Sequence, residues 1–135
     1  MMRRIKKKNN RGFTLIELLT VMVVMAILAA IAVPSYRRSQ VKARESVLAE
    51  DLYQIRKALD AYFADNAAYP DTLDQLVNSK YLRAIPNDPF TRSSDSWECV
   101  PPEPADSGQL AEGGCFDVHS GSDLVGGNGI PYRDW

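Results

Sequence analysis

The feature that most constrains this chain is an apolar run from Phe13 to Val33, 21 residues in which Glu17 is the one ionisable side chain. About 20 apolar residues span the hydrocarbon core of a bilayer, so the run predicts a membrane-spanning helix. Six basic residues and no acid precede Glu17: Arg3, Arg4, Lys6, Lys7, Lys8 and Arg11. Because positive residues stay in the cytoplasm, the remainder of the chain is predicted to face outward.

The acid within this run needs an explanation. A secretory signal peptide is one alternative, since Ala30-Ile31-Ala32 resembles a cleavage site, but the run exceeds the usual apolar region of about 7 to 15 residues. An acid at the bilayer centre costs about 2.5 kcal/mol or more, so Glu17 either reaches the headgroups or gains a partner. Such a partner could be a new α-amino group on a neighbouring copy that has been cut before Phe13. Spacing alone leaves both explanations of Glu17 open.

The residues around this junction carry a family resemblance. Residues 11–19, with the sequence RGFTLIELL, resemble the prepilin signature of type IV pilins and type II secretion pseudopilins. The resemblance implies that a prepilin peptidase cuts between Gly12 and Phe13, that Phe13 is N-methylated, and that Glu17 directs docking. Pro34 stands where the family has a proline, and proline predicts a helix kink. In contrast, Ala26 replaces a glycine that many members carry.

Beyond Pro34 the pattern becomes that of an amphipathic helix. Its apolar positions recur at helical spacing and form one stripe: Val41, Leu48, Leu52, Ile55, Leu59, Tyr62 and Phe63. Joined to the membrane segment, the helix would run from about residue 13 to about residue 65 and measure about 75 Å. One small domain cannot cover it, so its N-terminal half is expected to need lipid before assembly and neighbouring helices afterwards.

The rest of the chain predicts a small mixed region. Asp71 is the candidate N-cap of a short helix, and residues 96–100 and 115–119 are candidate strands. Cys99 and Cys115 fit an oxidising compartment, where a bridge would close a loop of about 17 residues and contribute roughly 3 kcal/mol. A pair of free thiols is the alternative.

These elements predict an α+β fold in which a long N-terminal helix packs against a small antiparallel β-sheet of two or three strands. Four segments follow: residues 1–12 are the leader, 13–34 the transmembrane or filament-core helix, 35–66 the amphipathic helix, and 67–135 the periplasmic region. The resemblance to prepilins implies a location in the bacterial inner membrane, crossed once, with the N-terminus cytoplasmic and the C-terminal domain periplasmic, and then in a periplasmic or surface filament.

The C-terminal stretch is rich in oxygen ligands. Its acids lie among Ser, Asn and Gly residues, which suit a calcium loop but are also the usual turn formers. Residues 69–90, from YP to IPNDPF, look like the same region of major pseudopilins of type II secretion, which hold calcium in a C-terminal loop. That resemblance implies calcium as a cofactor, with Asp117, Asp123 and Asp134 as candidate ligands, and no organic cofactor. A disulfide is instead more typical of type IV pilins.

Charge and motifs narrow the function. Without residues 1–12 the chain has 10 basic and 17 acidic residues, a net charge of −7, which disfavours a nucleic-acid partner. His119 lacks a nucleophile motif, so the chain is predicted not to be an enzyme. The resemblance implies a structural subunit of the type II secretion pseudopilus, a helical homopolymer whose other partners are the prepilin peptidase, the inner-membrane assembly platform and minor pseudopilins. The alternatives are a surface type IV pilin and a membrane-anchored periplasmic binding domain that never polymerises.

Overall fold

The computed structural model describes residues 11–103 and 112–135. Its elements are helix α1 (Leu15–Asn66), helix α2 (Leu73–Asn78), strands β1 (Glu98–Val100) and β2 (Asp117–His119), and a 3-10 helix (Tyr132–Asp134). The chain divides after Ser39 into two compact units, which we describe separately. Ten residues of the predicted leader, 1–10, lie outside the described residues, and they include Arg3, Arg4, Lys6, Lys7 and Lys8.

The first unit contains the predicted apolar helix. Every residue from 11 to 39 is exposed, and α1 begins at Leu15, two residues later than predicted. Among the described residues, α1 is the one helix long and apolar enough to cross a membrane. Pro34 lies inside α1. The backbone N–H and C=O groups of an α-helix bond to one another, which suits a segment without water around it.

The second unit, residues 40–135, has the hydrophobic core. Five residues of α1 are buried in it at helical spacing: Leu48, Leu52, Ile55, Ala58 and Leu59. They belong to one core cluster with residues of α2, of β2 and the segments before each strand, and of the 3-10 helix: Leu73, Leu76, Trp97, Cys115, Val118 and Tyr132. Val41 was predicted on the buried stripe, but it is 43% exposed. The buried residues of α1 begin at Leu48. The predicted stripe therefore starts earlier in the sequence, at Val41, than the buried part of the helix.

The sheet is antiparallel and has two strands, which confirms the predicted α+β class. Glu98 faces His119, and Val100 faces Asp117. Both strands are shorter than predicted. The segment before β2 is held elsewhere, because the N–H of Cys115 donates to the carbonyl of Pro70 at 2.9 Å instead of to the ladder.

The prediction that Asp71 caps α2 is wrong. The N-cap is Thr72, and its side chain makes no capping hydrogen bond. Asp71 was expected to accept a backbone N–H of the helix with its side chain. Instead, its own backbone N–H donates to the side-chain oxygen of Gln75 at 2.9 Å. Asp71 itself is exposed. A glutamine one turn into the helix therefore stabilises the start of α2.

Candidate processing and assembly site

The predicted cleavage junction lies just outside α1. Arg11, Gly12, Phe13 and Thr14 are all exposed and non-helical, and the Phe13 side chain is 92% exposed. Among residues 11–103 and 112–135, no heavy atom beyond its chain neighbours comes within 4 Å of the position that a Cβ on Gly12 would occupy. Proteases cut preferentially at exposed segments outside regular structure, and this junction is exposed and non-helical.

Helix α1 begins with a capping box formed by Thr14 and Glu17. The Glu17 Oε2 accepts the backbone N–H of Thr14 at 2.9 Å and its hydroxyl at 3.0 Å. In return, the N–H of Glu17 donates to the Thr14 hydroxyl oxygen at 3.3 Å. Such reciprocal bonds satisfy N–H groups that a helix start leaves unpaired.

This capping role was missed in the sequence, although its signal was present. Thr14 followed three residues later by Glu17, directly before an apolar run, is the sequence signature of a capping box. Glu17 therefore has a local partner within its own chain. Both Thr14 donors bond to Oε2, and within residues 11–103 and 112–135 no hydrogen bond to Oε1 is formed.

The predicted disulfide residues are bonded in the second unit. Cys99 lies on β1, Cys115 lies two residues before β2, and their sulfur atoms form a disulfide. The bridge runs beside the two-stranded ladder, in which Cys99 faces Val118. Cys115 is completely buried, so one end of the bridge is part of the core.

Of the three candidate calcium ligands, the structure brings Asp117 and Asp134 to one pocket but not Asp123. Asp117 Oδ1 accepts from the Arg56 Nε at 2.7 Å, and Asp123 Oδ1 accepts from the Arg133 Nη1 at 2.9 Å. Asp134 lies in the 3-10 helix and lines an open pocket with Asp117, which also contains Arg56. Within residues 11–103 and 112–135, no group of three or more acidic, histidine or cysteine residues could hold a metal ion.

Other oxygens of the C-terminal region are also engaged. The buried Ser120 hydroxyl donates to the Asp88 carboxylate, and Ser122 Oγ accepts the N–H of Leu124 at 3.3 Å. Asn128 Oδ1 accepts the N–H of Ile130 at 3.0 Å. In this arrangement the three acids do not form a calcium site, because Asp117 and Asp123 pair with different arginines and Asp123 is not among the residues that line the pocket of Asp117 and Asp134. The calcium prediction therefore rests on loop composition and family resemblance alone.

Two residues of α1 hold this region and were not singled out from the sequence. Glu45 accepts from the Gly127 N–H and the Tyr132 hydroxyl, and Arg56 donates to Asp117. Their positions relative to the buried stripe could have indicated this role. Glu45 lies three residues before Leu48, and Arg56 lies four after Leu52, so both flank the buried stripe.

Comparison with known proteins shows which proteins this chain is similar to. Residues 7–33 match the family described as the prokaryotic N-terminal methylation motif. The type II secretion system core protein G of Klebsiella michiganensis is 30% identical over 147 aligned positions, which cover 96% of each chain. The proteins of that name from Aeromonas hydrophila and Pseudomonas aeruginosa are 34% and 36% identical, each over 63% of this chain and 71% of their own. No solved structure gives a significant match.

Proposed function

Because the chain belongs to the family of type II secretion system core protein G, we propose that it enters the inner membrane as a precursor, is cut between Gly12 and Phe13, and then polymerises. It is a structural subunit of a type IV pilin-like filament, the pseudopilus. The proposal adds the processing site, the docking residue and the membrane orientation to that family assignment.

The observation that carries the proposal is the exposure of the apolar half of α1. In the described part of the structure, every residue from Leu15 to Val33 is exposed. Exposed apolar surface of this extent marks a membrane or protein interaction site. Lipid covers it in the precursor, and the same segment of neighbouring subunits covers it in the filament.

Cleavage would leave Phe13 as a free N-terminus one residue before Thr14, the N-cap of α1. The capping box uses only Thr14 and Glu17, and both lie after the proposed cut. Removal of the leader therefore keeps both residues of the box. N-methylation of Phe13 follows cleavage in this proposal.

Glu17 docks the incoming subunit through its second carboxylate oxygen. Oε2 bonds to Thr14, while Oε1 accepts the methylated amine of Phe13 on a neighbouring copy. An unpaired carboxylate within the apolar run is costly, and pairing with a cation offsets that cost. The pairing occurs only between copies in register, so it selects the correct stagger of subunits.

The six basic residues before Phe13 hold the N-terminus in the cytoplasm, so residues 40–135 fold in the periplasm. The function is mechanical rather than enzymatic. The prepilin peptidase, the inner-membrane assembly platform and minor pseudopilins are the further partners. A surface pilus uses the same assembly steps, and the relatedness to core protein G over 96% of the chain favours the secretion pseudopilus.

The experiment compares Glu17→Ala with Thr14→Val in cells that assemble the filament. Glu17→Ala should remain in the membrane fraction and be processed, but should give no sedimentable filaments. Thr14→Val removes the capping hydroxyl and keeps the docking acid, so it should retain most of the assembly. Glu50→Ala, an exposed acid further along α1, is the matched control.

Equal loss of filaments in Thr14→Val would assign Glu17 a capping role and contradict docking. Normal filaments from Glu17→Ala would favour a simple membrane anchor. Gly12→Ala tests processing separately. It should leave the leader attached and block assembly, and normal filaments from uncut protein would contradict the proposed cleavage site.

A further inference from the structure

The C-terminal loop, residues 120–135, directs hydrogen-bond donors towards one carboxylate of α1. Glu45 Oε1 accepts the backbone N–H of Gly127 at 2.7 Å and the hydroxyl of Tyr132 at 3.0 Å. Tyr132 is buried, and Glu45 is partly buried. A loop built around a cation turns oxygens inward, whereas this loop turns an N–H and an O–H inward.

The guanidinium of Arg56, on the same helix, donates hydrogen bonds to oxygens of β2 and of Trp135. Arg56 Nε donates to Asp117 Oδ1 at 2.7 Å, and Nη2 donates to the main-chain oxygens of Val118 at 3.1 Å and Trp135 at 2.7 Å. His119 Nδ1 lies 3.0 Å from the same Trp135 oxygen. Arg56 thus holds a carboxylate and two carbonyl-type oxygens, the kinds of ligand that calcium prefers.

The loop also uses its own carbonyl groups internally. The carbonyl of Leu124 accepts the N–H of Tyr132 at 2.9 Å, and that of Ile130 accepts the N–H of Gly126 at 2.9 Å. The carbonyl of Gly126 accepts the N–H of Gly129 at 3.0 Å. These three carbonyl oxygens therefore accept hydrogen bonds from within the loop.

We propose that Glu45 and Arg56 fasten the C-terminal loop to α1 in place of a divalent cation, so that the fold of this subunit does not depend on calcium. Eleven residues, about three helical turns, separate the two side chains, which places them on one side of α1. The acid binds the middle of the loop, and the base binds β2 and Trp135. This proposal concerns the monomer and does not rest on filament assembly.

The test is thermal unfolding of the full chain in detergent micelles, with excess calcium and with excess chelator. Tryptophan fluorescence reports the second unit, because both tryptophans, Trp97 and Trp135, lie in it. The wild-type Tm should be the same in both conditions. Glu45→Ala and Arg56→Met should each lower Tm by about 4 °C or more in both conditions, while the exposed controls Glu50→Ala and Lys57→Met should not.

Two further variants keep the proposal testable if Arg56→Met fails to fold. Arg56→Lys retains the charge and loses the forked geometry, so its Tm should fall between wild type and Arg56→Met. Tyr132→Phe removes one donor to Glu45, so its effect should be smaller in the Glu45→Ala background than in wild type. A calcium response that appears only in Arg56→Met would support the replacement of a cation by Arg56.

A saturable rise of the wild-type Tm with calcium would overturn the proposal. Additive effects of Glu45→Ala and Tyr132→Phe would also count against it, because the two side chains would then not act through one contact. Either result leaves the assembly proposal untouched, since that proposal is tested by filament formation with Glu17 and Gly12 variants.

Discussion

The two halves of α1 share a helical backbone but place their leucines in opposite environments. In the first half Leu28 is 60% exposed, whereas in the second half Leu59 is fully buried. The first half is apolar around its whole circumference, and the second has one buried stripe. Leucine side chains therefore serve assembly in the first half of α1 and folding in the second half.

Substitutions should consequently separate into two classes. Changes in residues 15–33 are expected to alter insertion or filament formation with little effect on unfolding of the second unit. Changes in the core of residues 40–135 are expected to alter unfolding first. Four measurements test this distinction, from the largest expected effect to the smallest.

The largest contrast is between Leu59→Ala and Leu28→Ala. Truncation of a buried leucine costs about 2 to 5 kcal/mol, because apolar contacts are lost and a cavity remains. Leu59→Ala should therefore lower the Tm of the full chain in detergent by about 10 °C or more, followed by tryptophan fluorescence. Leu28→Ala should leave that Tm unchanged. Equal shifts would show that the two halves of α1 unfold as one unit.

Reduction of the Cys99–Cys115 bridge should have the next largest effect. In the chain-entropy model, a bridge closing a loop of about 17 residues contributes roughly 3 kcal/mol. We expect a Tm lower by several degrees after reduction, together with unchanged membrane insertion, measured by fractionation. The double variant Cys99→Ser/Cys115→Ser should behave the same with and without reductant. An unchanged Tm in the reduced wild type would contradict this role of the bridge.

Alkaline pH should weaken the second unit through Tyr132. Burial and the nearby Glu45 carboxylate raise the pKa of Tyr132 from 10.0 to about 12. Between these values the unfolded chain releases the phenolic proton while the folded chain keeps it, so stability falls as pH rises. The Tm should therefore drop more steeply from pH 10 to 12 in wild type than in Tyr132→Phe. Parallel profiles would contradict the contact with Glu45.

The smallest effect has the opposite sign and concerns Asp51. Partial burial, then the nearby Asp88 and Glu50, raise the pKa of Asp51 above 3.8. The charged form is therefore disfavoured in the folded state, so Asp51→Asn should raise the Tm slightly at pH 7. The gain should vanish in acid, where the carboxyl is protonated in both states. Asp60→Asn, an exposed acid on the same helix, is the control. A loss of stability in Asp51→Asn would contradict the prediction.

The sequence allowed prediction of features that depend on neighbours along the chain. Apolar length predicted the first half of α1, and helical spacing predicted most of its buried stripe. Aromatic and β-branched residues predicted the two strands. The junction at Gly12 and Phe13 was also visible as a local motif, and the methylation-motif family matches this region.

Contacts between distant parts of the chain were not predictable in the same way. Glu45 and Gly127 are 82 positions apart, and Arg56 and Asp117 are 61 apart. Composition identified the C-terminal acids as candidate ligands, but it could not show that arginines bond to two of them, Asp117 and Asp123. The cap of α2 was missed for a different reason, since the contact is local: Asp71 is a stronger cap former than Thr72 in sequence, but Gln75 bonds back to the Asp71 N–H from within the helix.

The bridge between Cys99 and Cys115 also has a topological consequence. It makes residues 99–115 a closed covalent ring in each subunit, joined by the two bonded cysteines. A peptide inserted between Ser107 and Gly108 would therefore be part of this ring. A single proteolytic cut within the ring would leave the two parts of the chain linked through the disulfide. A filament of such subunits would carry a row of rings, each a place to attach a label that survives proteolysis.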